Sequence, residues 1–270
     1  MEPPPPSPPT PPPPYPQAGW PASPAPTRRF STGEVLSETF SVFFSSPVPL
    51  VITALIMVPF SILSLLAVRA VGDPTAAKGV ESLMSLIQNL AITPLATAAI
   101  VYAVFQRMRG RHVEAGDAIR VGLSKLGLVV GVAILQGLAI IAGVIFCIIP
   151  GIIVATMLAV AVPVAVEERP AAGSGAGAVL SRSSELTEGH RWSIFFVYGC
   201  LLLLAMGAGI VLGIVFGLAT GGNDLALEIA TIPLVVVVNG LSATASTVMY
   251  YRLRSIKESL DVDQIASVFD

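Results

Sequence analysis

Residues able to carry chemistry are few in this chain, and they fall into three kinds. The first is the metal-ligand and nucleophile type: His112, His190, Cys147 and Cys200, which are all of its histidines and cysteines. A structural zinc asks for four such ligands close together. Here the histidines stand beside basic residues, remote in sequence from the cysteines. Both cysteines sit inside apolar stretches, so they read as buried packing thiols rather than a disulfide or a ligand pair.

The second kind is charged. Glu167, Glu168 and Arg169 are followed by Arg182, Glu185 and Arg191, with Arg107, Arg109, Arg111, Arg252 and Arg254 as a similar basic set. Such a mixture can close a bundle by ion pairs or hold anionic headgroups. A remoter reading is an enzyme of lipid metabolism working at the 167–191 face. The third kind is polar and uncharged: Gln88, Asn89, Gln136 and Asn239, each inside an apolar run. Such amides can line a solute path or hydrogen-bond between helices at about 1 kcal/mol each, the commoner use.

The elements that hold these residues follow from composition. Apolar residues make up 54% of the chain and charged ones 12%, with a mean hydropathy of +0.80. A water-soluble chain carries about 25% charged residues to keep its surface wet. Half that share leaves too little polar surface, and the remaining solvent is lipid. The net charge of −2 points to no nucleic acid, and no cofactor or metal is implied.

Uncharged apolar runs occupy residues 48–68, 83–105, 126–166, 192–223 and 229–251. A helix needs about 20 such residues to cross a hydrocarbon core about 30 Å thick. The third run is therefore two crossings, divided by the turn signal Pro150-Gly151. Backbone polar groups in lipid must be satisfied within the segment, so the crossings are helices. The period-two alternation of a membrane barrel is absent. The expected fold is an all-α polytopic bundle of about six spans, with connections at 69–82, at Pro150-Gly151 and near Asp224. No Asp, Glu, Lys, Arg or His falls within those runs. Ionisable groups at mid-membrane mark pumps and voltage sensors, so their absence argues against both.

Six spans put both termini on one side. Of the 15 Lys and Arg, only Arg69 and Lys78 fall opposite. By the positive-inside rule the termini are cytoplasmic. Residues 1–30 hold most of the 23 prolines and read as an extended, disordered arm, a spacer in which Tyr15 and Trp20 could dock on a partner. Residues 31–258 form the membrane domain and 259–270 a short tail.

A short amphipathic segment precedes each pair of spans: 31–46, 114–125 and 176–187. Their starts align as Gly33-Glu34-Val35-Leu36-Ser37, Gly116-Asp117-Ala118-Ile119-Arg120 and Gly177-Ala178-Val179-Leu180-Ser181. These suggest three cytoplasmic interfacial helices, or else connectors packed beneath the bundle, and a threefold repeat of surface helix, span, span. Gly209, Gly213 and Gly217 stand four apart on one face, as do Gly127 and Gly131, and such faces serve helix packing, within the chain or between copies. Pro59, Pro94, Pro163 and Pro233 fall inside spans, where proline kinks a helix and can help to build a transporter site.

Several blocks together resemble the glycerophosphoryl diester phosphodiesterase membrane domain, a family related to uncharacterised bacterial inner-membrane proteins. They are Ser31-Thr32-Gly33-Glu34-Val35-Leu36 with Phe40, Pro150-Gly151-Ile152, and Glu167. Then follow Arg182-Ser183 with Leu186-Thr187, Gly189 and Trp192, and Tyr250-Tyr251-Arg252-Leu253-Arg254. Ser184 departs from the tryptophan often found in the pattern. The resemblance implies a bacterial cytoplasmic-membrane helical domain, sometimes fused to a phosphodiesterase. The paired histidines and carboxylate cluster which that chemistry needs are missing, so no activity carries over. The expectation is a non-enzymatic scaffold or accessory protein, with membrane lipids, another membrane protein or a second copy as partner. The alternative is a transporter or channel for a small or lipid-like solute. Convergence of Gln88, Asn89, Gln136 and Asn239 on a hydrated cavity favours the alternative, and scattered contacts between helices favour the scaffold.

Overall fold

The computed structural model describes residues 30–111, 113–168, 175–221 and 223–267, with backbone alone for 224 and 259–267. The arm up to residue 29, His112, Arg169 and the last three residues of the tail lie outside the described residues. Every regular element among them is helical. Six helices are long and apolar enough to cross a membrane: Val48–Ala70, Pro74–Met108, Leu126–Phe146, Ile148–Glu167, Arg191–Thr220 and Leu225–Glu258. The chain is a multi-pass integral membrane protein.

Three short helices precede the three pairs of crossings: α1 (Thr32–Ser45), α5 (Ala115–Ser124) and α9 (Ala176–Thr187). Each turns a narrow face inward: Val35, Thr39 and Phe43 from α1, Ala118 and Gly122 from α5, Val179, Ser183 and Thr187 from α9. Between them run α2 (Val48–Ala70), α3 (Pro74–Ile87), α4 (Thr93–Met108), α6 (Leu126–Phe146), α7 (Ile148–Met157), α8 (Ala161–Glu167), α10 (Arg191–Thr220) and α11 (Asp224–Ser267).

The core sits around α4, where Ala98, Ala99, Ile100 and Val101 are wholly buried. Small residues here let neighbouring backbones close in, and packing replaces the hydrophobic driving force that lipid cannot supply. Tyr250 of α11 stands edge-on to Phe105, ring centres 5.5 Å apart. Around this core the outer surface is apolar. Phe146 is 88% exposed and Leu218 81%, an arrangement that water would punish and acyl chains accept.

Several expectations need correction. The stretch 69–82 is not an open connection, because α3 begins at Pro74. Asp73 caps it, accepting from the Ala76 N–H at 2.8 Å, and Pro74 supplies a pre-set first turn. A single wide π turn, Gln88–Ile92, joins α3 to α4 just before Pro94. A proline without an N–H loosens the helix there. The long apolar run breaks at extended Cys147 (φ −178°), not at Pro150-Gly151, which lie in the first turn of α7. The glycine serves a different purpose. The α6–α7 hairpin is so tight that a Cβ on Gly143 would lie 2.9 Å from the Gly151 Cα. The cysteines are exposed, not buried: a membrane helix is apolar on all sides, so apolar neighbours in sequence do not place a residue inward. Apart from these corrections, α11 runs from Asp224 to Ser267.

Candidate functional site

The fourth crossing is the one broken inside the membrane-length segment. After α7 the chain makes a turn at Leu158, Ala159 and Val160, and α8 resumes at Ala161. Pro163 contributes, since it has no N–H for the Ala159 carbonyl one turn earlier. A break in hydrocarbon exposes carbonyls that lipid cannot satisfy. The Leu158 carbonyl keeps a backbone donor, the Ala161 N–H at 3.1 Å, and side chains from neighbouring helices reach all three carbonyls of the turn. The Met157 carbonyl accepts from Ser183 Oγ at 2.9 Å and Thr187 Oγ1 at 3.2 Å, both on α9. The Leu158 carbonyl accepts from Gln136 Nε2 of α6 at 3.3 Å. The Ala159 carbonyl accepts from the Tyr198 hydroxyl of α10, also at 3.3 Å.

Two cavities meet at this break. The larger, about 520 Å³, lies between α6, α7, α10 and α11, with Ile140, Ile152, Leu202 and Val238 among its apolar walls and Gln136, Thr156, Tyr198 and Ser242 as polar points. The smaller, about 200 Å³, is lined by Thr93, Thr97, Asn239, Ser242 and Ser246, and shares Gln136 and Tyr198 with the first. Neither is lined by an ionisable acid, lysine, arginine or histidine. The pair forms an open, mostly apolar recess with neutral hydrogen-bonding side chains along one part of it.

Of the four amides singled out in the sequence, Gln136 and Asn239 therefore come together. Asn239 also donates to its own helix, to the Val235 carbonyl at 2.8 Å. Gln88 lines a separate recess with Ser61, Ser64, Glu228 and Thr231. Asn89 turns away and donates to the Ser85 carbonyl at 2.8 Å. Tyr198, Thr93, Thr97, Ser242 and Ser246 were not singled out. Hydroxyls within apolar runs were the available signal, but nothing in their spacing separates cavity-lining ones from those bonded to the preceding turn.

The charged candidates assemble at one end of the bundle. Glu167, closing α8, pairs with Arg109. Next to it Glu168 receives Arg182 at 3.2 Å and the Tyr250 hydroxyl at 2.9 Å. Arg182 also reaches Glu185 at 3.6 Å. Arg252 bridges Glu34 and Glu38 of α1, each at 2.7 Å, and so ties the first helix to the last. Arg254 pairs with Glu258 at 2.5 Å and donates to the Tyr250 hydroxyl at 3.2 Å. Arg191 stands apart, its Nε buried without a hydrogen-bond partner. These are partly exposed structural pairs, each worth no more than about 1 kcal/mol. Together they fasten α1, α4, α8, α9 and α11. At the opposite end Arg69 meets Glu228 at 3.5 Å.

The glycine ladder of α10 is not used for packing inside the chain. A Cβ on Gly213 or Gly217 would meet nothing within 4 Å, and one on Gly209 only Leu234 at 3.7 Å. Close approach falls instead to Gly143, Gly151 and Gly240, the last with Phe43 2.9 Å from its would-be Cβ. Among the described residues no group of His, Cys, Asp and Glu is placed to hold a metal ion. No family model matches the chain, and neither the curated proteins nor the solved structures contain a match to it.

Proposed function

We propose that this protein binds an uncharged, lipid-like amphiphile at the broken fourth span, and works as a carrier or transporter of that molecule rather than as an enzyme. The observation that carries the reading is the meeting of Gln136, Asn239, Tyr198 and Ser242 around two adjoining open recesses at the break. The larger chamber is walled mainly by aliphatic side chains, which suits acyl or isoprenoid carbon. Its polar end offers amide and hydroxyl groups but no charge, which suits hydroxyl, ester or amide groups. A charged headgroup stripped of water there would find no counter-ion.

The setting belongs to the same proposal. The protein is placed in a bacterial cytoplasmic membrane, with the arginine-rich end and both termini in the cytoplasm. The threefold repeat is supported by burial in register. Val35, Ala118 and Val179, each two residues after the aligned glycine, are buried, as are Thr39, Gly122 and Ser183 four residues later. In that frame α1, α5 and α9 lie at the interface. Kinship with the phosphodiesterase membrane domain rests on the resembling sequence blocks alone. A scaffold role, with a second copy or another membrane protein as partner, draws its support from the apolar outer face of α10.

The test is chemical. The full chain is purified from native membrane, and the molecules that leave with it are extracted and identified by mass spectrometry. Gln136→Leu removes one neutral hydrogen bond, and Ser242→Phe fills the chamber. Wild type is expected to carry a neutral amphiphile that Gln136→Leu depletes about fivefold and Ser242→Phe excludes. An identical lipid complement in all three folded proteins would sink the proposal.

A further inference from the structure

We infer that a recess at the α1–α2 joint binds a phosphate group, carried by an anionic lipid or free in solution. The site is independent of the cavities at the broken span. It is a recess of about 290 Å³ walled by Ser46, Val48 and Pro49 on one side and by Arg107, Arg111 and Val113 on the other.

The end of α4 places both arginines there. Gly110 takes the left-handed conformation, φ 73°. Its N–H returns to the Arg107 carbonyl at 2.8 Å, and the Arg111 N–H reaches back to the Gln106 carbonyl at 2.9 Å. This pair of bonds is the Schellman cap that glycine permits, and it folds Arg111 back onto the helix end that carries Arg107. The Arg107 guanidinium is anchored at the rim, donating to the Ser45 carbonyl at 2.8 Å and the Ser45 hydroxyl at 3.3 Å. Both acceptors are neutral, so its charge stays uncompensated.

At this end of the bundle Arg109, Arg182, Arg252 and Arg254 each have a carboxylate partner. Among the described residues Arg107 and Arg111 have none, and no acid lines the recess. Ser46, almost wholly buried, accepts from the Val48 N–H at 3.4 Å, and its own hydroxyl proton goes to no described acceptor. Two guanidiniums and a hydroxyl donor around one small recess fit a tetrahedral oxyanion, which guanidinium forks bind through paired charge-assisted bonds. A lipid source is natural here. Phe44, two residues before Ser46, is 73% exposed, and Val51 and Leu55 on α2 add exposed apolar surface for acyl chains.

The experiment titrates the full detergent-solubilised chain with phosphatidylglycerol, with phosphatidylcholine and with inorganic phosphate, counting bound molecules by native mass spectrometry. Arg111 is exposed, so Arg111→Gln leaves packing untouched. Lys78→Gln, at the other end of the bundle, controls for lost charge alone. Phosphatidylglycerol is expected to bind wild type and Lys78→Gln alike and Arg111→Gln about tenfold more weakly. Displacement of the bound lipid by inorganic phosphate assigns the site to soluble phosphate, and resistance to it assigns the site to lipid; both outcomes keep the recess as the phosphate site. Equal binding of every ligand by wild type and Arg111→Gln, or equal weakening in Lys78→Gln, overturns it.

Discussion

The fourth and fifth crossings follow one another in the chain and meet the membrane in opposite ways. The fourth, α7 with α8, is short, broken and the best enclosed of the six crossings. The fifth, α10, runs 30 residues without a break and is the most exposed of them. A continuous helix satisfies its own backbone and can face acyl chains almost all round. A discontinuous one cannot, because hydrocarbon offers no donor to a stranded carbonyl. Here α9 and α10 bring Ser183 and Tyr198 to the Met157 and Ala159 carbonyls, while Gln136 of α6 adds a second donor at Leu158, which already accepts from the Ala161 N–H. Irregular backbone, cavity and polar side chains therefore occur together for one reason. The same division sorts the glycines: Gly143 and Gly151 are pressed against neighbouring backbone, while Gly213 and Gly217 on α10 face open space and Gly209 has only Leu234 at 3.7 Å from its would-be Cβ.

The sharpest way to break this contrast is at the α6–α7 hairpin. In Gly151→Val the first added carbon alone would stand 2.4 Å from a Val144 methyl and 3.0 Å from its backbone nitrogen. The hairpin would have to open, moving α7 away from the donors that cap its end. Overpacking of this kind costs about 3 kcal/mol. A large fall in the unfolding temperature in detergent is expected, followed by tryptophan fluorescence. A variant as stable as wild type would show that hairpin closure does not seat the broken span.

A middle-sized effect comes from the caps. Ser183→Ala with Thr187→Val removes both donors to the Met157 carbonyl and changes little in volume. Leaving that carbonyl without a partner costs about 2 kcal/mol. Thermal unfolding of the single and double variants measures it, with Ser183→Ala expected to carry most of the loss, since Thr187 Oγ1 also lies within reach of its own helix's carbonyls. If the double variant melts with wild type, the gap is not stabilised from α9.

Much of this architecture was legible beforehand. Length and hydropathy suffice for the membrane class and the number of crossings, because lipid imposes a helix on any long uncharged run. The short helices α1, α5 and α9 were readable from their periodic faces. What escaped was whatever depends on neighbours. Pro163 could be seen as a kink, but whether its freed carbonyl meets Tyr198 or nothing is a tertiary fact. Pro150-Gly151 was visible as punctuation, yet proline suits a helix's first turn as well as a loop, so the break moved to Cys147. Gln136 and Gln88 look alike in sequence; only the bundle puts the first beside Asn239 and the second toward Glu228. Repetition every four residues drew attention to Gly209, Gly213 and Gly217, whereas of the glycines under compression Gly143 and Gly240 stand isolated and Gly151 was marked only as half of a turn signal.

That last point supports the smallest prediction, which tests the other half of the contrast. Gly213→Leu puts a large side chain where nothing of this chain lies within 4 Å of the new Cβ, on a helix flanked by exposed Ile210 and Ile214. If acyl chains cover this face, the substitution merely adds apolar surface to apolar solvent. It also replaces glycine by a better helix former. Stability should then stay within about 0.5 kcal/mol of wild type, and the mass of the detergent-solubilised particle should not change. A loss larger than that, or a shift to a smaller particle, would mean that another protein surface presses on Gly213. The fifth crossing would then be an interface like the fourth, with its partner supplied by a second chain rather than by α6 and α9.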